Sequence, residues 1–199
     1  MTVIHLVRHG MTEAVGRRLC GREAGWSLTA EGRTQAEALK NRFGAQPVAA
    51  VYASPLERAQ QTATPIARAR SLGVRTHEAL NEIDFGDWSG CDFDALAILP
   101  DWRRWNEARS TFRPPNGEGM AEVQTRMRAF MDEARHAHPE AAIVAVSHAD
   151  VIKALVCQIL GLSTERHAAF EISPGSVTTV VAADSGLKLH SLNEVPHAA

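Results

Sequence analysis

Two histidines and two arginines occupy comparable places in the sequence, at the ends of predicted strands. Arg8 and His9 come directly after the first apolar run, Arg58 lies in the first turn of the helix predicted after the second, and His148 follows a later one. In open α/β sheets ligands bind beyond the carboxyl ends of the strands, so we expect these four side chains to lie together. A single histidine at such a place is commonplace. The coincidence of four such side chains favours a functional site.

This combination of side chains suits a phosphate group. Two guanidiniums offer planar, bidentate donors for phosphate oxygens, and nearby helix N-termini add backbone N–H donors. A neutral imidazole at His9 can attack phosphorus in line, and arginines nearby disfavour its protonated form. Arginines also stabilise the charge on the transferring phosphoryl group without a metal ion. The residues therefore predict a metal-independent phosphatase with His9 as nucleophile.

Glu82 is the candidate proton donor for the leaving alkoxide. It follows the third predicted strand, beside the apolar residues Ile83 and Phe85. A general acid of this kind needs a carboxyl with a raised pKa, and apolar neighbours can provide it. We therefore expect Glu82 to lie near the two histidines.

Strands and helices alternate along the chain, which predicts an α/β fold with a mainly parallel sheet covered on both faces. Thr29 is predicted to cap the first helix, and Ser54, Pro55 and Glu57 predict a capping box on the second. A hairpin near the C-terminus predicts an antiparallel edge. The predicted strands are Thr2–Val7, Val48–Ala53, Val74–Thr76, Ala142–Ser147, Ser176–Ala182 and Leu187–Leu192.

The region from about 85 to 118 is less regular, and we interpret it as an insertion with short helices in a single domain spanning 1–199. Because it should overhang the pocket, we expect it to determine substrate specificity. Its aromatic side chains are expected to form its own small core, the alternative being an apolar wall for the leaving group. They are Trp88, Trp102, Trp105 and Phe112.

Composition excludes several classes of function. The chain has 199 residues, 45% hydrophobic and 22% charged, with a net charge of -2. No long Lys/Arg run points to nucleic acid or to an anionic membrane, and no apolar run approaches the length of a membrane span. Three cysteines are too few and too odd in number for a disulfide framework. We expect a cytoplasmic protein with reduced thiols.

Several segments, in this order, resemble the histidine phosphatase superfamily, the phosphoglycerate-mutase-like proteins. The resemblance covers nearly the whole chain, including short members named α-ribazole phosphatases or probable phosphomutases. The segments are Leu6-Val7-Arg8-His9-Gly10, Leu28-Thr29, Ser54-Pro55-Leu56-Glu57-Arg58-Ala59, Glu82-Ile83-Asp84-Phe85-Gly86, Asn116-Gly117-Glu118 and Val146-Ser147-His148.

The resemblance implies a three-layer αβα fold and neither a metal nor an organic cofactor. It implies that His9 is phosphorylated, and that Arg8, Arg58 and His148 form the phosphate pocket. Glu82 would act first as the acid and then as the base for water. This agrees with the assignment made from the residues themselves.

Three positions depart from the family pattern. Met11 and Val15 stand where polar side chains are frequent, so that one hydrogen bond to the phosphate is either missing or supplied by Thr12 or Arg22. Asp150 stands where a glycine is usual. We interpret it as a cap of the following helix; the alternative is a contact with a cationic part of the substrate.

The sequence leaves the activity open between two enzymes and a third class of protein. A mutase of the phosphoglycerate type must retain its phosphohistidine and exclude water, and glycolytic mutases carry a larger insertion after the acid, so hydrolysis is preferred. A catalytically weak phosphate-binding regulatory module is the alternative of another class, but it would not need Glu82. The expected partner is a small phosphomonoester, and the edge hairpin could support a homodimer.

Overall fold

The computed structural model describes residues 1–196, in which a six-stranded sheet lies between two layers of helices. The strands of this sheet are β1 (Thr2–Arg8), β3 (Ala50–Ala53), β4 (Val74–Thr76), β6 (Ala142–Ser147), β7 (Val177–Ala183) and β8 (Gly186–Glu194). A separate pair is formed by β2 (Arg18–Leu19) and β5 (Cys91–Asp92). The helices are α1 (Ala30–Gly44), α2 (Glu57–Ala69), α3 (Phe93–Ala97), α4 (Pro100–Glu107), α5 (Met120–Ala137) and α6 (Ala149–Leu160).

The sheet has the order β4-β3-β6-β1-β7-β8. The first four strands are parallel, whereas β7 and β8 run antiparallel to their neighbours. The predicted mainly parallel sheet with an antiparallel edge is therefore confirmed. The register that pairs Arg8 with Ser147 brings the residues after β1 and β6 side by side.

Alternate residues of the central strands enter two different cores, as the two-residue period of a strand requires. In β6, Ile143 and Ala145 pack with α5 and α6, whereas Val144 and Val146 pack with α1 and α2. Both faces are thus covered, and the central strands are apolar on both sides. This confirms the three-layer αβα architecture.

The start of α2 differs from the prediction. Its N-cap is Leu56, which makes no side-chain cap, and no capping box involving Ser54 and Glu57 forms. The Ser54 hydroxyl instead lies 2.9 Å from Nε2 of His148. A local capping pattern has been overridden by a contact between two strand ends. The Thr29 cap was predicted correctly, since its hydroxyl accepts a hydrogen bond from Gly32 N.

The segment 85–118 contains α3, α4 and β5, and its aromatic side chains pack on one another. Trp88 lies 5.4 Å from Trp102 and 6.4 Å from Trp105, measured between ring centroids. These rings extend the core on the α5–α6 face rather than line the cleft described below. The pairing of β5 with β2 fastens the segment to the loop that follows β1. Within residues 1–196, none of the helices has the length and apolarity needed to cross a bilayer.

Candidate active site

The candidate active site lies at the carboxyl edge of the parallel strands, as expected. Arg8 ends β1 and His9 follows it, while His148 follows β6. The two imidazole rings lie 5.2 Å apart between centroids. Arg58 from the first turn of α2 and Glu82 from the loop after β4 line the same cleft as His9. The structure therefore brings all five of these predicted side chains together.

His9 is held as a neutral base. Its Nδ1 lies 2.8 Å from the carbonyl oxygen of Gly10, which can only accept a hydrogen bond, so Nδ1 carries the proton. The lone pair is then on Nε2. Burial, followed by the charges of Arg58 and Arg8, holds the pKa of His9 well below its usual value. An unprotonated Nε2 beside two cations is what nucleophilic attack on a phosphate dianion requires.

The two arginines are anchored by main-chain carbonyls, not by carboxylates. Arg8 Nη1 donates to Ile172 O at 2.7 Å, and Arg58 Nη2 donates to Gly21 O at 2.9 Å. Within residues 1–196 neither guanidinium has a carboxylate within 4.0 Å, and Arg8 Nε is buried without a hydrogen-bond partner. Their remaining N–H groups can therefore bind an anion in the cleft.

His148 is fully buried behind the cleft and oriented by Ser54. The Ser54 hydroxyl accepts from Leu56 N at 3.3 Å, which leaves its own proton for His148 Nε2. The imidazole proton then sits on Nδ1, which has no hydrogen-bond partner in the described chain and lies 3.7 Å from Glu82 Oε2. Burial, then Arg58, lowers the pKa of His148 well below its usual value. The ring is therefore a neutral donor directed towards the site.

Glu82 has the properties of a proton donor near neutral pH. Its Oε1 accepts from Ile83 N at 3.0 Å. Burial, followed by the negative charge of Asp150, raises the pKa of Glu82 from 4.5 to about 7, against the opposing charge of Arg58. The expected perturbation is thus present, with burial as its main cause. The contribution of Asp150 could not be foreseen without the fold.

The remaining predicted residues are placed differently from one another. Thr12 is buried and lines the cleft, in keeping with its expected role. Arg22 does not line it: Nη2 pairs with Glu118 at 3.1 Å and Nε donates to Glu82 O at 2.9 Å. The structure therefore does not support the expectation that Arg22 completes the phosphate pocket, because its Nε and Nη2 donate to other groups and its Nη1 lies 3.7 Å from Asp84 Oδ2.

Asp150 does not cap α6. The N-cap is His148, which makes no side-chain cap, and Asp150 Oδ1 instead pairs with Arg109 Nη1 at 3.3 Å. The carboxylate lines the cleft. Burial alone would raise the pKa of Asp150, but nearby positive charges, chiefly that of Arg109, lower it below its usual value. The capping interpretation is corrected: Asp150 is a charged group of the cleft, held by the segment 85–118.

The wall of the cleft is partly apolar. The cleft offers a volume of about 120 Å³ to water-sized molecules and opens directly to solvent. Val15, one of the departures noted above, is part of this wall, whereas Met11 lies outside it and uses its backbone N–H to bind Gln35. The apolar side chains of the wall include Val15, Leu19, Phe85 and Phe93. Residues 1–196 contain no group of three or more His, Cys, Asp or Glu side chains arranged to hold a metal ion.

A neutral imidazole beside two guanidiniums that pair with no carboxylate of residues 1–196, at the edge of this sheet, suits an enzyme that transfers phosphoryl groups through histidine. Comparison with known proteins agrees. The Histidine phosphatase superfamily (branch 1) model matches residues 4–195, and the chain belongs to that superfamily. Formation of a phosphohistidine is general to the family, and the activity is that of a phosphatase.

Individual relatives are similar over most of their length. Phosphoserine phosphatase 1 of Hydrogenobacter thermophilus is 31% identical over 184 residues, covering 90% of this chain and 86% of that protein. Adenosylcobalamin/alpha-ribazole phosphatase of Escherichia coli is 31% identical, with 85% of each covered. The Bacillus stearothermophilus protein YhfR has a solved structure with a TM-score of 0.92 and 27% identity, covering 100% of both chains. These likenesses confirm the family resemblance recognised in the sequence.

Proposed function

We propose that this protein hydrolyses small phosphomonoesters in two steps, with His9 as the residue that is phosphorylated. The observation that carries the proposal is the free lone pair on His9 Nε2 in a cleft that it shares with Arg8, Arg58 and the protonatable Glu82. No other buried imidazole of the site is as well placed, because Nε2 of His148 is already bound to Ser54.

In the first step, His9 Nε2 attacks phosphorus and the bond to the leaving oxygen breaks. Glu82 gives its proton to that oxygen, while Arg8 and Arg58 stabilise the charge on the equatorial oxygens. His148 donates from Nδ1 to one of these oxygens. In the second step, the Glu82 carboxylate takes a proton from water as the water oxygen attacks phosphorus, the P–N bond breaks, and neutral His9 is restored.

The substrate is proposed to be a small phosphorylated metabolite. The relatives include proteins named for phosphoserine and for alpha-ribazole, which share little beyond the phosphate. In this chain the leaving group would meet Phe85 and Phe93, and both belong to the segment 85–118. We therefore propose that this segment is part of one domain and determines specificity. Exchanging it for that of a relative should change the order of preference among phosphomonoesters, and an unchanged order would count against this role.

The experiment that tests the mechanism is rapid-quench trapping with a radiolabelled phosphomonoester in EDTA. We expect an acid-labile label on residue 9 that appears before phosphate is released. His9→Ala should carry no label and show no turnover of p-nitrophenyl phosphate. Release of phosphate without label on residue 9, or a requirement for added metal, would refute the proposed mechanism.

Location and assembly are further proposals. The cysteines at positions 20, 91 and 157 form no disulfide, which supports a reducing compartment, and we propose the cytoplasm. Strand β8 is an edge of the sheet and could pair with a second copy to give a homodimer. Light scattering on the purified protein distinguishes the dimer from a monomer.

A further inference from the structure

The main-chain carbonyl of Glu82 accepts hydrogen bonds from two arginines that come from different parts of the chain. Arg22 Nε donates to it at 2.9 Å from the loop between β2 and α1, and Arg126 Nη2 donates at 3.4 Å from α5. Arg126 also donates to the carbonyl of Ala79, just upstream on the same loop. The backbone that carries the proposed acid is therefore fixed from two sides.

Glu118 joins these two arginines. Its carboxylate accepts from Arg126 Nε at 2.8 Å and Nη2 at 3.1 Å, which is the bidentate fork geometry, and from Arg22 Nη2 at 3.1 Å. The side chains of Arg126 and Glu118 are only 17% and 13% exposed. We call Arg22, Glu118 and Arg126 the Glu118 clamp.

The loop that holds Glu82 is packed directly on the segment that holds Glu118. Glu118 N donates to Asp84 O at 2.7 Å. A Cβ at Gly117 would lie 2.5 Å from Asp84 O, and one at Gly86 would lie 2.0 Å from Pro115 O. Only glycine allows so close an approach, and Gly86 also has a positive φ of 53°. The position of Glu118 therefore fixes that of the loop.

The clamp does not serve the phosphate directly, because none of its three side chains lines the cleft. Its charge balance also suits an acid that must stay protonated. Two arginines without partners would favour the carboxylate form of Glu82, whereas here both are paired: Glu118 binds both, and Asp84 Oδ2 lies 3.7 Å from Arg22 Nη1. The clamp thus donates hydrogen bonds to the main-chain carbonyl of Glu82 without placing a large net positive charge near the Glu82 carboxyl group.

We propose that Arg22, Glu118 and Arg126 are positioning residues that hold the Glu82 carboxyl group at the leaving oxygen of the substrate. This rests on the proposed function, in which Glu82 is the acid. A proton donor must come within hydrogen-bond reach of the atom that it protonates, and displacement by about 1 Å can cost about 100-fold in rate. Glutamate has a long side chain, so the position of its carboxyl group depends on a fixed backbone.

The test is the dependence of phosphoenzyme formation on the leaving group. Nitrophenolate leaves without protonation, whereas an alkoxide needs the proton of Glu82. In single-turnover experiments, Glu118→Gln and Arg22→Gln should slow the labelling of His9 by an alkyl phosphomonoester about 10- to 100-fold. Labelling by p-nitrophenyl phosphate should change by no more than about 3-fold, as expected when the phosphate pocket is intact. Glu118→Asp keeps a carboxylate that can accept two hydrogen bonds from Arg126. It should therefore label His9 from the alkyl phosphomonoester faster than Glu118→Gln does.

The matched control is Asp132→Asn, which breaks an exposed ion pair with Arg128 on the same helix and should alter neither rate. Thermal unfolding checks that each variant is folded, and Arg22→Gln is informative even if the buried Glu118→Gln is not, since Arg22 is 37% exposed. Equal losses for both substrates in a folded variant, or no loss for either, would overturn the clamp proposal. Absence of label on His9 in the unaltered protein would instead refute the proposed function, and the clamp would then have no acid to position.

Discussion

Replacing Glu82 by glutamine should make the protein more stable, and increasingly so as the pH rises. The carboxyl group has a pKa of about 7 in the folded protein, against 4.5 when exposed. Between these values the folded state retains a proton that the unfolded state has lost. The free energy of unfolding therefore falls as the pH rises through this interval. The stability that comes from protonated Glu82 is fully lost above the folded-state pKa.

The magnitude follows from the same two values. One pKa unit corresponds to about 1.4 kcal/mol, so that the rise from 4.5 to about 7 corresponds to roughly 3 kcal/mol. Glutamine keeps the shape and the oxygen that accepts from Ile83 N at 3.0 Å, but it has no charge to bury. For a chain of this length, about 3 kcal/mol is roughly 6–12 °C in Tm.

The assay is thermal or urea unfolding of the wild type and Glu82→Gln at pH 5 and pH 8. We expect the variant's advantage to grow by roughly 2–3 kcal/mol between the two pH values. Glu107→Gln, an exposed position on α4, is the control and should show no such trend. An advantage that is the same at both pH values would refute the argument that burial keeps Glu82 protonated.

Three further predictions concern the site itself. Arg58→Ala should lower the rate of phosphoenzyme formation about 100- to 1000-fold, as loss of a transition-state donor does, in single-turnover assays on protein with an unchanged fold. Ser54→Ala should remove the donor to His148 Nε2, shift the tautomer seen by ¹⁵N NMR, and reduce kcat/KM about 10-fold, the equivalent of one hydrogen bond. Asp150→Asn removes a charge that raises the pKa of Glu82. The rate of alkyl phosphate hydrolysis, which falls as Glu82 loses its proton, should therefore begin to fall at a lower pH than in the wild type; an unshifted pH profile would contradict this.

Much of the fold could be predicted because its determinants are local. The β-branched run of β1, the Thr29 cap of α1 and the hairpin of β7 and β8 are all encoded within a few residues, and the structure has each of them. The carboxyl edge of the parallel strands then brings Arg8, His9 and His148 together without further information. For the segment 85–118 the sequence predicted short helices around an aromatic core but not their bounds, because these helices are held by packing among aromatic rings and not by local caps.

The site departed from prediction where a local pattern competes with a distant partner. Ser54 has the sequence context of a helix cap, yet it binds His148, which is 94 positions away. Asp150 has a comparable context, yet it pairs with Arg109 at a separation of 41 positions. In both cases a side chain with a local capping context has its shortest contact with a residue far away in the sequence, although Ser54 also accepts from Leu56 N at 3.3 Å. No local pattern records that choice.

The arginines around the cleft also show that a distant partner decides what a side chain does, and here the outcome bears directly on function. Arg58 and Arg22 both lie in segments that approach the strand ends, and both were reasonable candidates for binding phosphate. Arg58 is anchored by a carbonyl and keeps its charge for the cleft, whereas Arg22 meets the Glu118 carboxylate and turns to the backbone of Glu82. An arginine becomes an anion-binding residue here only if no carboxylate of the fold reaches it. That condition depends on chain segments far apart in sequence, so a local motif cannot tell an arginine that binds phosphate from one that binds a carboxylate of the protein.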